Sequence, residues 1–330
     1  DKGATKYTYD EANRLKTVTE PSNKQTSYTY DKAGNRKTET VTESGIISLT
    51  TYNYNEQERL TDTVQTVGNT KKTVTYNYDN NGNIHSKFQG VEKSDDGEET
   101  ELEIKLLGLD DDSEIGAVYE YDVFNRLVKT YQGSNVISNV YNGEGNRVSK
   151  TVNGNTCKYL YEYDKIVLET DGEGNQTARN VYGTNLITRE SNDKKYTYHY
   201  NGHGDVTALT EKSGNIAAAY EYDPFGNITG ETENIENPYR YSGYEYDNET
   251  ELYYLKSRFY DAETARFIQE DTYRGDASDP LSLNLYTYCA NNPMTYVDTS
   301  GHSYYGTKYD SFEELYAATI ENPQEVEEML

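Results

Sequence analysis

Tryptophan is absent from this chain of 330 residues, and cysteine, methionine and proline are scarce, at 2, 2 and 6. Two widely separated cysteines, Cys157 and Cys289, lack metal-ligand spacing and are too few for a disulfide scaffold. Both read as free, buried thiols. Phenylalanine numbers only 6 and mean hydropathy is -0.99, so a core of the usual aliphatic kind is not on offer. No apolar run approaches the ~20 residues of a membrane span, and no signal peptide is visible. Positive charge is short as well. Lys and Arg total 31 against 57 Asp and Glu, a net charge of -26. That balance argues against nucleic-acid binding, which needs clustered cations. Neither a Gly-x-Ser-x-Gly elbow nor a phosphate-cradling glycine loop occurs, so no metabolic active site is legible.

What the chain has is tyrosine, 36 of them, placed periodically. The unit is Tyr-x-Tyr-Asp/Asn, two or three residues, then a Gly-Asn or Asn-Arg pair. It reads Tyr7-Thr8-Tyr9-Asp10 to Asn13-Arg14, then Tyr28-Thr29-Tyr30-Asp31 to Gly34-Asn35. It returns at Tyr52, Tyr76, Tyr119, Tyr198 and Tyr220, with a half-degenerate copy at Tyr141 and weaker ones near Tyr161 and Tyr182. Successive second tyrosines step by 21, 24, 24, 43 and 20 residues. The long step reads as two units, one worn away around residues 95–105.

Alternation puts both rings of each pair on one face of a strand. The Asx and Gly-Asn residues supply a turn and a position that tolerates φ > 0. About 21 residues then hold two strands and two turns, a β-hairpin per repeat. The expected fold is all-β: stacked hairpins in a spiralling antiparallel sheet, a partial hollow shell. Strands are expected to start at Tyr7, Tyr28, Tyr52, Tyr76, Tyr119, Tyr198 and Tyr220, with equivalent tyrosines packed into a ladder.

Other candidates read as structure. His199, His203 and Asp205 suggest zinc only on a helix; within a repeat unit they read as surface histidines. The 11 acids and 2 lysines from Glu92 to Glu114 lack the spacing of a Ca²⁺ loop and read as a solvated acidic loop. No cofactor or metal is expected. Near the end, Phe312, Leu315, Tyr316 and Ile320 fall at helical spacing behind a Ser311 N-cap, a short helical tail.

The repeat resembles the YD repeats of RHS proteins, teneurins and the shell components of ABC-type toxin complexes. The resemblance sharpens at Asn237-Pro238-Tyr239-Arg240-Tyr241-Ser242-Gly243, at Leu252-Tyr253-Tyr254-Leu255-Lys256-Ser257-Arg258-Phe259-Tyr260-Asp261 and at Arg266-Phe267. It continues through Asp271, Asn284-Leu285-Tyr286-Thr287-Tyr288, Asn291-Asn292-Pro293 and Asp298-Thr299-Ser300-Gly301, which is similar to the RHS repeat-associated core. The flavour of the Asn-Asn-Pro stretch resembles Gram-positive wall-associated members.

This resemblance implies hairpin repeats over 1–236, a core segment over 237–302 that plugs one end, and a tail or variable region over 303–330. It also implies an exported shell, secreted or on the cell surface, that encloses or presents its own C-terminal effector. An export signal is expected upstream, since the chain starts at Asp1 close to its first repeat. Neighbouring cells or the cell wall are further partners the resemblance implies, with no membrane span in this segment. Two alternatives stand beside the shell. One is a teneurin-like adhesion or carbohydrate-binding module that uses an exposed tyrosine stripe. The other is self-cleavage just C-terminal of Gly301 by an aspartyl-protease-like pair, for which the matching residues are Asp271 and Asp298 with Arg266 nearby. Thr272 and Thr299 stand where the family has proline, and Ala265 where it has glycine, which points to an uncut junction.

Overall fold

A computed structural model describes residues 3–92, 116–276, 279–302 and 305–306. The acidic stretch and the helical tail foreseen from the sequence lie outside the described residues, apart from their margins. Ten hairpins follow one another. They are β1 (Lys6–Tyr9) with β2 (Leu15–Thr19), β3 (Gln25–Tyr30) with β4 (Arg36–Glu43), β5 (Ile46–Tyr54) with β6 (Leu60–Val67), and β7 (Thr70–Tyr78) with β8 (Ile84–Glu92). Next come β9 (Ala117–Tyr121) with β10 (Leu127–Gln132), β11 (Asn135–Tyr141) with β12 (Arg147–Val152), and β13 (Asn155–Glu162) with β14 (Lys165–Asp171). β15 (Gln176–Tyr182) with β16 (Leu186–Ser191), β17 (Lys194–Tyr200) with β18 (Val206–Glu211), and β19 (Ile216–Tyr222) with β20 (Ile228–Glu233) complete the set. Each strand pairs antiparallel with its neighbours in sequence, giving one open 20-stranded sheet.

One expectation is corrected here. The tyrosine motif ends strands rather than starting them: β3 begins at Gln25 and stops at Tyr30. The reason is the turn, which must begin at the Asx directly after the second tyrosine. Asp31 Oδ1 accepts from the Ala33 and Asn35 amides, 2.9 Å each, and Oδ2 from Asn35 Nδ2 at 3.1 Å. Gly34, at φ 82°, lets the chain reverse. Where arginine replaces the last asparagine, Arg14 and Arg126 Nε hold the Asp10 and Asp122 carboxylates instead. β8 pairs directly with β9 through Ser86↔Val118 and Lys87↔Ala117; the worn copy expected around residues 95–105 lies outside the described residues.

The tyrosines face inward, but they do not stack on their equivalents. Each motif strand alternates with a post-turn strand, so equivalent rings stand two strand spacings apart, roughly 9–10 Å. Between them comes the side chain that opens the post-turn strand. The Arg36 guanidinium, for example, lies 4.7 Å from the Tyr28 ring and 5.7 Å from that of Tyr52. The first tyrosine is buried in six motifs, at Tyr28, Tyr52, Tyr76, Tyr119, Tyr198 and Tyr220. The second is half-buried and performs a task no phenylalanine could. Its hydroxyl donates to the carbonyl of the residue that opens the preceding hairpin's post-turn strand: Tyr30 to Leu15, Tyr54 to Arg36, Tyr121 to Ile84, Tyr161 to Arg147, Tyr200 to Leu186, Tyr222 to Val206, at 2.7 to 2.9 Å. A bulge at the second tyrosine shifts the register there, and the β2–β3 ladder stops at Thr17↔Ser27. The Leu15 carbonyl therefore lies beyond reach of a strand partner, and the hydroxyl of Tyr30 satisfies it.

After β20 the chain turns into the space the sheet surrounds. There it forms a small sheet of β21 (Glu245–Asp247), β22 (Leu252–Tyr254), β23 (Phe259–Asp261) and β24 (Arg266–Phe267). Further on, β25 (Tyr296–Val297) pairs with β26 (Tyr305–Gly306). Turn carbonyls from all round the sheet point at this segment. Gly34, Glu58, Gly82 and Gly226 accept from Asn291, Arg266, Tyr286 and Tyr253, at 2.6 to 2.8 Å. Each acceptor occupies the same turn position, with φ between 61° and 93°. Hairpins early and late in the chain thus grip one segment, which requires the sheet to curl around it. The curl brings the two ends of the sheet close: Tyr28 packs edge-on against Phe225 at 5.4 Å.

Ion pairs complete the grip. Buried Arg147 holds Asp247 at 2.6 Å and Glu245 at 2.8 Å, and lies 4.5 Å over the Tyr254 ring. Lys150 reaches Asp247 and Glu249, and Lys72 reaches Glu263. Burial alone would raise the Asp247 carboxyl, but Arg147 and Lys150 outweigh it and bring it down to about 2.

Two outcomes follow. Tyr54→Phe keeps the ring but orphans the Arg36 carbonyl, and should lower stability by about 1–3 kcal/mol in urea unfolding. A depressed carboxyl such as Asp247 contributes stability that is complete above its unfolded pKa, ~4, and is lost as pH falls toward the folded value of about 2. Urea midpoints should fall across that window, and Asp247→Asn should flatten the fall while lowering stability at neutral pH.

Candidate functional site

The chemistry-bearing residues singled out in the sequence meet only in part. Asp271 and Asp298 converge, and the cation between them is Arg258, not Arg266. Arg258 Nη2 lies 2.6 Å from Asp271 Oδ2 and 3.8 Å from Asp298 Oδ2. Its Nη1 donates to the Leu285 carbonyl at 3.0 Å and its Nε to the Gly301 carbonyl. The guanidinium lies flat on Phe267, 3.6 Å from the ring centroid. Arg266 turns the other way, to Asn35 at 2.9 Å and to the Glu58 carbonyl, between the rings of Tyr54 and Tyr286. It staples the inner segment to two hairpins. Ala265 beside it, at φ 55°, holds a left-handed conformation that glycine would adopt without strain.

The local backbone explains why the two acids meet. Asp298 opens a turn in which its Oδ1 accepts from the amides of Ser300, 3.1 Å, and Gly301, 2.7 Å. Its own amide donates to Tyr244 Oη at 3.0 Å. Gly301 has φ 78°, and a Cβ there would come within 2.6 Å of the Leu255 carbonyl oxygen and 3.0 Å of the Arg258 amide. No other residue fits. Asp271 Oδ1 accepts from the Tyr273 amide at 2.9 Å and meets His302 Nδ1 at 3.1 Å. The peptide bond between Gly301 and His302 is therefore flanked by Arg258, Asp298 and Asp271.

Burial sets the electrostatics of this cluster. It lowers the Arg258 guanidinium below its ordinary value even though Asp271 and Asp298 pull the other way. It raises the Asp298 carboxyl, with Asp271 adding to the rise and Arg258 opposing it. One guanidinium faces both acids of this node, 2.6 Å from Asp271 and 3.8 Å from Asp298, so a single positive charge is set against two carboxyls.

Elsewhere, the tyrosine stripe is turned inward and buried, so no exposed tyrosine groove lies along the repeats described. His199 is exposed and bonded to Thr210 Oγ1 at 2.8 Å. His203 departs from the surface reading. It packs on Tyr241 and pairs with Asp205 at 2.8 Å, which lifts it above its ordinary range despite burial. Among the described residues no cluster of His, Cys, Asp or Glu is arranged to hold a metal. Cys289 is buried and Cys157 half-buried, both free. The sequence did carry a signal for Arg258, since it sits in the Leu252–Asp261 stretch. Nothing in spacing alone says which of two arginines reaches the acids.

Residues 1–294 match the family model described as teneurin YD-shell. The tRNA3(Ser)-specific nuclease WapA of Bacillus spizizenii is 40% identical over 169 residues, and the tRNA nuclease WapA of Bacillus subtilis is 38% identical over 169. Each alignment covers 49% of this chain and 7% of the relative, so the chain spans less than a tenth of the length of these curated relatives. Among solved structures, a Tc holotoxin pore of Photorhabdus luminescens aligns over 95% of this chain and 19% of its own, with 17% identity and a TM-score of 0.48. A TcdB2–TccC3–Cdc42 complex aligns over 90% and 18%, with 20% identity and a TM-score of 0.46.

If Arg258 is the node's counter-charge, Arg258→Met strands two buried carboxylates. It should cost about 3–5 kcal/mol in chemical unfolding, far more than an exposed ion pair would. A loss below about 1 kcal/mol would show that Asp271 and Asp298 find other partners.

Proposed function

The chain belongs to the teneurin YD-shell family, and from that premise we propose that it is the closing part of an exported shell that encloses or presents an effector attached C-terminal to it. The observation that supports this most directly is the inward grip of the sheet. Turn carbonyls from hairpins along the sheet converge on one inner segment, an arrangement that seals the turn end of a curled sheet. The junction that leads onward, Gly301 and His302, lies at that seal. The WapA relatives are named for a tRNA nuclease activity. That activity is theirs, and what carries over is the idea of a shell segment within a longer toxin. Among the described residues no helix is long and apolar enough to cross a membrane.

A protection experiment tests the shell. The natural polypeptide that contains this segment, produced with the sequence on both sides of it, should guard its downstream part from protease. Arg147→Ala, which removes a buried tie between wall and plug, should expose that part at least tenfold faster, as a weakened closed state implies. Equal cleavage rates with and without the shell segment would overturn the reading.

Self-cleavage after Gly301 is a second reading. It draws on the convergence of Asp271 and Asp298 at Arg258, which also holds the Gly301 carbonyl. With both acids tied to one cation, the expected product is a single uncut polypeptide by denaturing gel and intact mass, unchanged by Asp298→Asn. Two fragments that become one on mutating either aspartate would establish the cut.

A further inference from the structure

The outward face of the sheet changes character along the chain. Between the two tyrosines of each motif stands one outward residue, and it is polar in Thr8, Thr29, Asn53, Asn77, Glu120, His199 and Glu221. In the hairpins of β11, β13 and β15 it is Val140, Leu160 and Val181, exposed by 56%, 57% and 42%. These positions have the same place in the repeat and sit on alternate strands, so they form one diagonal band. Leu160 faces Leu168 across the β13–β14 ladder, and Ile187 adds a further exposed aliphatic next to Thr188, the partner of Val181. At ~4.8 Å per strand, six strands carry the band over about 25 Å.

The charges in the band are also out of keeping with the rest. The row that starts at Leu160 and Leu168 continues in register through Arg179, Glu190 and Lys195. Lys158 stands two residues before Leu160 on the same face. Lys195 pairs with Glu190 at 3.6 Å and exposed Glu162 stands two residues after Leu160, so Lys158 and Arg179 are the cations set directly beside the aliphatics, on a chain whose net charge is -26.

We propose that the outward face of β11–β17 docks on an anionic lipid bilayer. Exposed aliphatics set among cations match the boundary between acyl chains and acidic headgroups. A soluble polyanion would engage the cations and leave Val140, Leu160 and Val181 in water. Screening at 0.1 M salt limits the reach of surface charge to about 10 Å, so the chain's overall negative charge is little felt by a bilayer facing this band. Within that distance the local sign decides. Nothing in the shell reading assigns this face, which on the inner side carries the buried residues of the same strands.

The test is co-sedimentation of the whole chain with extruded vesicles. Binding is expected to phosphatidylcholine vesicles that contain phosphatidylglycerol, to weaken as salt is raised, and to be absent with phosphatidylcholine alone. The double variant Leu160→Asp/Val181→Asp, and separately Lys158→Glu/Arg179→Glu, should each weaken binding by at least about tenfold, with circular dichroism and melting unchanged because all four side chains are exposed. No sedimentation with either vesicle overturns the proposal. So does equal sedimentation with both, which signals apolar adhesion without charge. Capture by soluble polyglutamate at the same strength, unaffected by Leu160→Asp/Val181→Asp, would overturn it in favour of a polyanion site.

Discussion

A hydrogen bond from a tyrosine hydroxyl to a backbone carbonyl beyond the end of the strand ladder ties each hairpin to the one before it, where their backbone pairing stops. The ladder between neighbouring hairpins stops short of the residue that opens each post-turn strand, at Thr17↔Ser27 and Thr38↔Thr51 for example. An unpaired buried carbonyl there would cost about 1–3 kcal/mol. The second tyrosine of each motif fills the gap, and the same ring buries its apolar body beside the neighbouring strand. This is the physical content of a composition with 36 tyrosines and 6 phenylalanines. A phenylalanine would pack as well and leave the carbonyl orphaned.

The second constraint is that a curled sheet with an inward polar and aromatic face must have something to curl around. The inner segment supplies it twice over. Its side chains satisfy the outward-rotated carbonyls of left-handed turn residues, and its acids meet the cations of the wall. Arg147, Lys150 and Lys72 point inward and find Asp247, Glu249 and Glu263 there. Basic residues of an acidic chain are thus placed where burial makes them count. Removing one partner would leave a buried charge uncompensated, which is why such pairs specify the arrangement more firmly than they add net stability.

The junction at Gly301 uses the same logic on a smaller scale. One guanidinium is stacked on an aromatic ring and bonded to two carbonyls, and it faces two carboxyls 27 positions apart in sequence. The geometry holds the last part of the inner segment in place against Leu255 and Arg258. It leaves His302 at the edge of the node, where the chain leads out of the seal.

Much of this was legible in the residues themselves. Alternation, Asx and Gly-Asn turns, and the recurrence of Tyr-x-Tyr are local properties, so the all-β class, the hairpin unit and the inward pairing of tyrosines follow from the order of residues. Other features depend on which strands become neighbours. Strand starts were misplaced because the turn's side-chain bonds, not the rings, set where a strand ends. Arg258, just before β23, meets Asp271 and Asp298, whereas Arg266 on β24 is turned to Asn35 and the Glu58 carbonyl. The chain order determined the repeat and its chemistry by short-range stereochemistry. Only the tertiary fold decided which long-range partners each polar group found, because buried charges and carbonyls are satisfied by whatever the curled sheet brings within hydrogen-bond reach.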